Sequence, residues 1–338
     1  VVTTLTELGP PELEAALAAD GLEPFRARQL LGWIYRHGAT DFGRMTDLSR
    51  DLRDELSRRY RILGSRLSAR APAADGTEKF LVRLADGNLI ETVLIPDGRR
   101  LTACISTQVG CPVGCVFCAS GLDGLRRNLS AGEIVEQLLH LPRRPTHVVV
   151  MGIGEPLLNF GPLTAALRVM HERWGMGIGY NKITLSTAGI VDKIARLIEE
   201  KVTPNLAISL HAPDDALRAR LVPGIRRWTI DDLVEAGRRY RRATGKDVTF
   251  EYVLLAGIND GPEQAAALAG RLRTARVKLN VIPYNGVPGL PYRRPAADAI
   301  DRFVRTVGAG GVPVTVRRQR GDDASAACGQ LRAAFASS

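Results

Sequence analysis

The sequence predicts an α/β fold: an open, partial (β/α)6 barrel preceded by an N-terminal helical domain and a β-hairpin linker segment. Two observations carry this. From residue 101 onward short β-rich runs alternate with helical stretches, whereas residues before 63 show helical periodicity alone. Six β/α units are too few to close an ordinary eight-fold barrel, so the sheet is expected to stay open.

The elements follow in order. Residues 11–19 carry apolar side chains at helical spacing, Phe25, Leu30, Leu31, Trp33 and Ile34 make a second stripe, and Leu48, Leu52 and Leu56 recur every four residues, so 1–62 reads as a small accessory domain. Within 63–100 the period changes, and two β-rich runs over 79–95 are broken by Ala85-Asp86-Gly87-Asn88, a hairpin turn signal. The barrel, 101–338, has expected strands at 101–106, 147–151, 183–186, 206–210, 249–255 and 279–283, with a further β-rich run at 313–318. Ser130 and Glu133 form a capping box at the head of an expected helix over 130–140.

Composition bounds the class. With 45% hydrophobic residues, no apolar run near 18 residues, and Thr3, Thr4, Glu7 and Glu12 interrupting the start, the chain is expected to be globular, cytosolic and independent of membranes. Five cysteines, three of them clustered, fit a reducing compartment better than a disulfide framework. The net charge of +10 is concentrated in arginine clusters at 58–59, 126–127, 143–144, 226–227, 238–242 and 317–320. Arginine suits bidentate phosphate contact, so nucleic acid is the expected partner, against the plainer reading of solvated faces.

The chemistry centres on Cys111-Pro-Val-Gly-Cys115-Val-Phe-Cys118. Random placement of five cysteines gives such a spacing about once in a thousand chains, and three thiolates this close repel unless a cation takes up their charge. A closed zinc site wants four ligands, and no second Cys or His pair follows. An iron–sulfur cubane held by three thiolates keeps one iron open for a substrate or cofactor; it is the preferred reading, with zinc and coincidentally buried cysteines the alternatives. Other motifs fall at expected strand ends: Gly152-Ile-Gly154-Glu155-Pro156, Ser186-Thr187, Ser209-Leu210-His211 and Asn285. Each alone is an ordinary turn or structural residue, but strand C-termini are where such barrels gather their chemistry. Cys104 and Cys328, taken alone, read as buried small hydrophobes.

Together with the cysteine loop, Ser106-Thr-Gln-Val-Gly-Cys111, Met151-Gly-Ile-Gly-Glu-Pro-Leu-Leu-Asn159, Ser209-Leu-His-Ala-Pro213, Phe250-Glu-Tyr-Val-Leu-Leu255 and Gly321-Asp-Asp-Ala-Ser-Ala-Ala-Cys328-Gly-Gln-Leu331 resemble the RlmN family of dual-specificity RNA methyltransferases, radical S-adenosylmethionine (SAM) enzymes. The resemblance runs from about residue 5 to 331 and implies a TIM-like radical SAM barrel. It also implies that Cys111, Cys115 and Cys118 bind a 4Fe-4S cluster, and that Gly154, Glu155, Ser186, Ser209, Leu210, His211 and Asn285 bind SAM, two molecules per turnover. Cys328 matches a cysteine that is methylated and then tethered to C2 of an adenine. Cys104 matches the residue that resolves this adduct through a transient disulfide, and Glu91 a proton acceptor. The implied substrates are 23S rRNA at the peptidyl transferase centre and the adenine 3′ to the anticodon of certain tRNAs, with flavodoxin or ferredoxin as electron donor. The segment 121–129 is closer in style to Cfr, which methylates C8 of the same adenine, whereas the Trp33 helix and 316–321 lean toward the C2 enzyme. A non-catalytic, zinc-stabilised RNA-binding protein is the alternative from another class.

Overall fold

The computed structural model describes residues 2–317, 320–321 and 325–331. Arg318 and Gln319 of the last basic cluster, and 322–324 of the C-terminal motif, lie outside the described residues.

The N-terminal unit contains β1 (Thr3–Thr4), α1 (Pro10–Ala19), α2 (Phe25–Leu31), α3 (Arg50–Arg59) and β2 (Tyr60–Arg61), which returns to pair in parallel with β1. Proline opens α1, where a missing N–H costs nothing, and the Ser49 side chain caps α3. A π-helical turn over Gly32–Arg36 extends α2 and turns Ile34 and Tyr35 inward.

The main sheet has ten strands among the described residues. Four are antiparallel neighbours: β3 (Arg66–Pro72), β4 (Glu78–Arg83), β5 (Leu89–Asp97) and β6 (Arg100–Cys104). A separate two-stranded ribbon, β7 (Gln108–Gly110) with β8 (Leu125–Asn128), follows. The sheet then continues from β6 in parallel through β9 (His147–Val150), β10 (Ile183–Thr187), β11 (Asn205–Ser209), β12 (Val248–Leu254), β13 (Lys278–Pro283) and β14 (Val314–Val316). The expected hairpin is β4 and β5, built into the sheet through the β5–β6 ladder. Strand β3 had no sequence signal, because it is exposed along most of its length and lacks alternation.

Helices α4 (Ala131–Leu139), α5 (Phe160–His171), α6 (Val191–Glu199), α7 (Asp215–Leu221), α8 (Ile230–Thr244), α9 (Pro262–Leu272) and α10 (Ala297–Ala309) make the crossovers. Strand order follows chain order from β9 to β14 without reversal. Right-handed crossovers therefore put the helices on one face, and the sheet curls as an open barrel with the strand C-termini at one rim. Val148, Val149 and Val150 are all buried, as a strand covered on both faces requires. The capping box of Ser130 and Glu133 is formed in both directions.

Glu136 of α4 ties the N-terminal unit to the barrel. Fully buried, it accepts from Thr6 Oγ1, from Gly64 N and Ser65 N at 2.7 Å each, and from Ser65 Oγ. Removing the carboxylate leaves these donors without a partner, so Glu136→Ala is expected to destabilise the fold by about 3 kcal/mol, read as a lower urea midpoint. An unchanged midpoint would show that this contact contributes nothing.

Candidate functional site

The cysteine loop connects β7 to β8, and its shape depends on glycine. Gly110 has φ +79°, and a Cβ there would lie 1.9 Å from Gly124 O. Cys111 N donates to Gly124 O at 2.9 Å and Cys118 N to Cys115 O at 3.1 Å, folding the loop back on itself. All three thiols line one cavity at the strand rim, with Gly154 and Glu155 after β9, Ser186 in β10, Ser209 ending β11, and His211 beyond it.

The donor set suits a cluster. Burial pushes the Cys111 thiol up to about 12 and raises Cys115 and Cys118, and for Cys115 the neighbouring thiols add to the effect. Such thiols ionise only against a bound cation. Among the described residues no three His, Cys, Asp or Glu side chains converge on a single ion. A closed zinc site takes four protein ligands where this loop supplies three, whereas a cubane takes each thiolate on a different iron.

The wall opposite the cysteines is built from strand ends. Gly154, at φ +114°, crosses within reach of Gln108 and Thr107, where a Cβ would come as close as 2.8 Å. Glu155 is buried and accepts from Ala188 N at 2.6 Å, Thr187 Oγ1 at 2.7 Å and Leu157 N at 3.0 Å. Burial raises its pKa and these bonds oppose the rise. His211 takes a left-handed backbone, φ +61°, and its Nδ1 accepts from Val253 N at 3.0 Å, which leaves the proton on Nε2. Burial, reinforced by Arg218, lowers its pKa to about 3, so the ring is neutral at ordinary pH.

Cys328 is brought to the same rim. The cysteine loop bonds its segment directly, Ala119 N to Gly329 O at 2.8 Å and Ser120 Oγ to Leu331 O at 2.7 Å, while Asn285 Nδ2 donates to Cys328 O at 3.1 Å. Cys328 lines both the cysteine cavity and an adjoining one that contains Asn285. Cys104, at the end of β6, is 8% exposed in an apolar cluster with Val93, Val149, Ala326 and Leu331. Burial pushes its thiol up to about 12, the Cys328 charge adds to this, and Arg317 opposes it. Glu91 is buried on β5; Oε1 pairs with Lys79 Nζ at 2.9 Å, and Oε2 is buried with no partner among the described residues. Lys79 Nζ also reaches Ser325 O at 3.4 Å, in the Cys328 segment.

Two expected cavity residues stand elsewhere. Leu210 is fully buried and is not among the cavity-lining residues, its N–H donating to Glu251 O at 2.9 Å, and Asn285 faces the adjoining cavity. Other residues went unread. Arg317, half-buried, borders both cavities and donates to Met151 Sδ at 3.5 Å; its membership of a basic run suggested a solvent-facing phosphate ligand. Glu251 lines the cysteine cavity from within β12. Buried Gln137 takes Ser106 N and gives to Ser106 O, each at 2.8 Å; Ser106 Oγ in turn holds Ile153 N at 2.9 Å and Glu91 O at 2.7 Å. Nothing in the sequence separates such a glutamine from a surface one. Part of the basic surplus is spent internally: Arg127 pairs with Asp86 and Glu133, and Arg59 with Asp20 and Glu55.

Comparison with known proteins matches 105–269 to the radical SAM superfamily and 3–62 to the ribosomal RNA large subunit methyltransferase N-terminal domain. The probable dual-specificity RNA methyltransferase RlmN of Rhodopirellula baltica is 48% identical over 95% of this chain and 88% of its own length. The Bacillus subtilis protein of the same description is 43% identical over 95% and 91%. A radical SAM methyltransferase from Sphaerobacter thermophilus superposes with a TM-score of 0.94 at 46% identity, covering 98% of this chain and all of that one.

Proposed function

We propose, since this chain belongs to the RlmN family of dual-specificity RNA methyltransferases within the radical SAM superfamily, that it methylates C2 of an adenine in 23S rRNA and of the adenine 3′ to the anticodon in certain tRNAs. The observation that carries the reading is the bonding of the Cys328 segment onto the cysteine loop, with Cys104 packed against the same segment.

C2 of adenine is not nucleophilic, so polar methyl transfer fails there; the cluster and SAM, when bound, supply one-electron chemistry in its place. Cys111, Cys115 and Cys118 hold the cluster, while Gly154, Glu155, Ser186, Ser209 and His211 shape the wall for SAM, two molecules being used per turnover. Cys328 carries the methyl group and becomes bonded through it to the adenine. Glu91, with one carboxylate oxygen unpartnered among the described residues, takes the C2 proton. The one electron left on the adduct would be accepted back by the cluster that Cys111, Cys115 and Cys118 hold, so that a closed-shell thioether joins Cys328 to the adenine. The Cys104 thiolate then attacks the Cys328 sulfur: an S–S bond forms as the S–C bond breaks, and the released electron pair ends on the methyl carbon, which takes a proton. A flavodoxin or ferredoxin class donor supplies electrons, and the RNA substrates put the reaction in the cytoplasm. In this reading 1–62 is an accessory domain, 63–100 a linking segment and 101–338 the catalytic barrel. Among the described residues no helix is long and apolar enough to cross a membrane.

Nucleoside mass spectrometry of rRNA and tRNA from a strain lacking the enzyme, before and after treatment with reconstituted protein, tests this. The expected result is 2-methyladenosine appearing in both RNA classes. The 8-methyl isomer would reassign the ring position, and no new methyladenosine would overturn the proposal.

A further inference from the structure

We propose that Arg218 is a built-in counter-charge for the cysteine loop and sets how readily the cluster held there accepts an electron. The proposal rests on the loop holding that cluster and is independent of which ring carbon is methylated.

Arg218 lies on α7 and is 2% exposed. A buried guanidinium ordinarily meets a carboxylate, but among the described residues no acidic side chain pairs with this one. Its donors go to backbone carbonyls instead: Ile225 O at 3.1 Å, Ala188 O at 2.6 Å and Ser209 O at 3.3 Å, while Nε has no partner among the described residues. Arginine keeps its proton under such conditions, so a full positive charge stands in the interior, offset only in part by the exposed Asp215 three residues before it on α7.

Its position explains the expense. Ala188 and Ser209 line the cysteine cavity, so the guanidinium sits directly behind that wall. The α7 segment is fastened to the cysteine loop on both sides, Val116 N to Leu221 O at 3.1 Å and Gly224 N to Val113 O at 2.9 Å. Gly224 permits this approach, since a Cβ there would lie 2.6 Å from Val113 O.

A cubane on three thiolates is anionic and gains a further negative charge on reduction. A nearby positive charge in a low-dielectric interior favours the reduced form more than the oxidised one, and burial prevents salt from screening it. Three backbone carbonyls would be satisfied equally well by neutral donors, so hydrogen bonding alone does not call for a charge.

The test is a redox titration, followed by electron paramagnetic resonance, of anaerobically reconstituted parent, Arg218→Lys, Arg218→Gln and Arg218→Met proteins, with iron and sulfide content and circular dichroism measured on each. Gln keeps a donor and Met keeps volume. Both are expected to lower the equilibrium constant for one-electron reduction about tenfold, equivalent to about 59 mV toward more negative potential, while Lys stays near the parent. Asp215→Asn, an exposed change one turn away, keeps the fold accessible to the test and is expected to move the potential upward at low ionic strength. Potentials unchanged in Gln, Met and Asn variants, or a Lys variant displaced as far as Gln, would overturn the proposal. Parent protein lacking iron and sulfide would instead overturn the cluster reading on which it stands.

Discussion

Cys104→Ala protein is expected to stop after one reaction with RNA still attached, giving at most about one covalent protein–RNA adduct per chain and no free methylated product. Cys104 faces Val93 and Val149 across the β5 and β9 ladders and packs against Ala326 and Leu331. Alanine removes only the sulfur from this apolar pocket, so the fold survives and the lost function is chemical. Resolution needs a sulfur able to reach Cys328, and among the described residues the remaining cysteines are the three of the cluster loop. Denaturing gels and mass spectrometry of the cross-linked peptide read the outcome. The double variant Cys104→Ala, Cys328→Ala should form no adduct. Free methylated RNA at parental yield from Cys104→Ala would remove the resolving role.

Cys115→Ala is expected to yield colourless protein and to reduce methylation by at least about a thousandfold. Two thiolates cannot present three irons to protein ligands, and the one-electron chemistry begins at that cluster. The loop itself should persist, because Gly110, Gly124 and the backbone bonds at Cys111 and Cys118 shape it without Cys115 Sγ. Iron analysis and absorbance measure the cluster, and circular dichroism checks the fold. Full iron content or retained turnover in this variant would disprove the assignment of the three thiols.

Different parts of the molecule were legible to different degrees. The parallel strands showed as apolar runs such as Val148, Val149 and Val150, and α4 announced itself through a capping box, because both are local consequences of side-chain type. Strand β3 was hidden: its residues face solvent on most positions, so pairing with β4 rather than burial makes it a strand. The basic runs misled at Arg317, which shares the composition of its neighbours but turns toward Met151 at the cavities. Charge along a chain carries no information about which side of a strand end a side chain takes.

The cysteine spacing and the motifs around it determined, from sequence alone, that this chain carries a three-thiolate loop at the mouth of a parallel barrel. Ligand spacing in so short a loop is a local property, and alternating strands and helices need only local periodicity. Only the tertiary structure decided that Cys104 packs against Ala326 and Leu331 of the Cys328 segment, that the Leu210 side chain is buried, and that Arg218, with no carboxylate ion-paired to it among the described residues, lies behind the cavity wall. Those relations depend on strand order, register and the folding of the Cys328 segment onto the cysteine loop. They arise from backbone bonds between distant residues, which leave no periodic trace in the residues that make them.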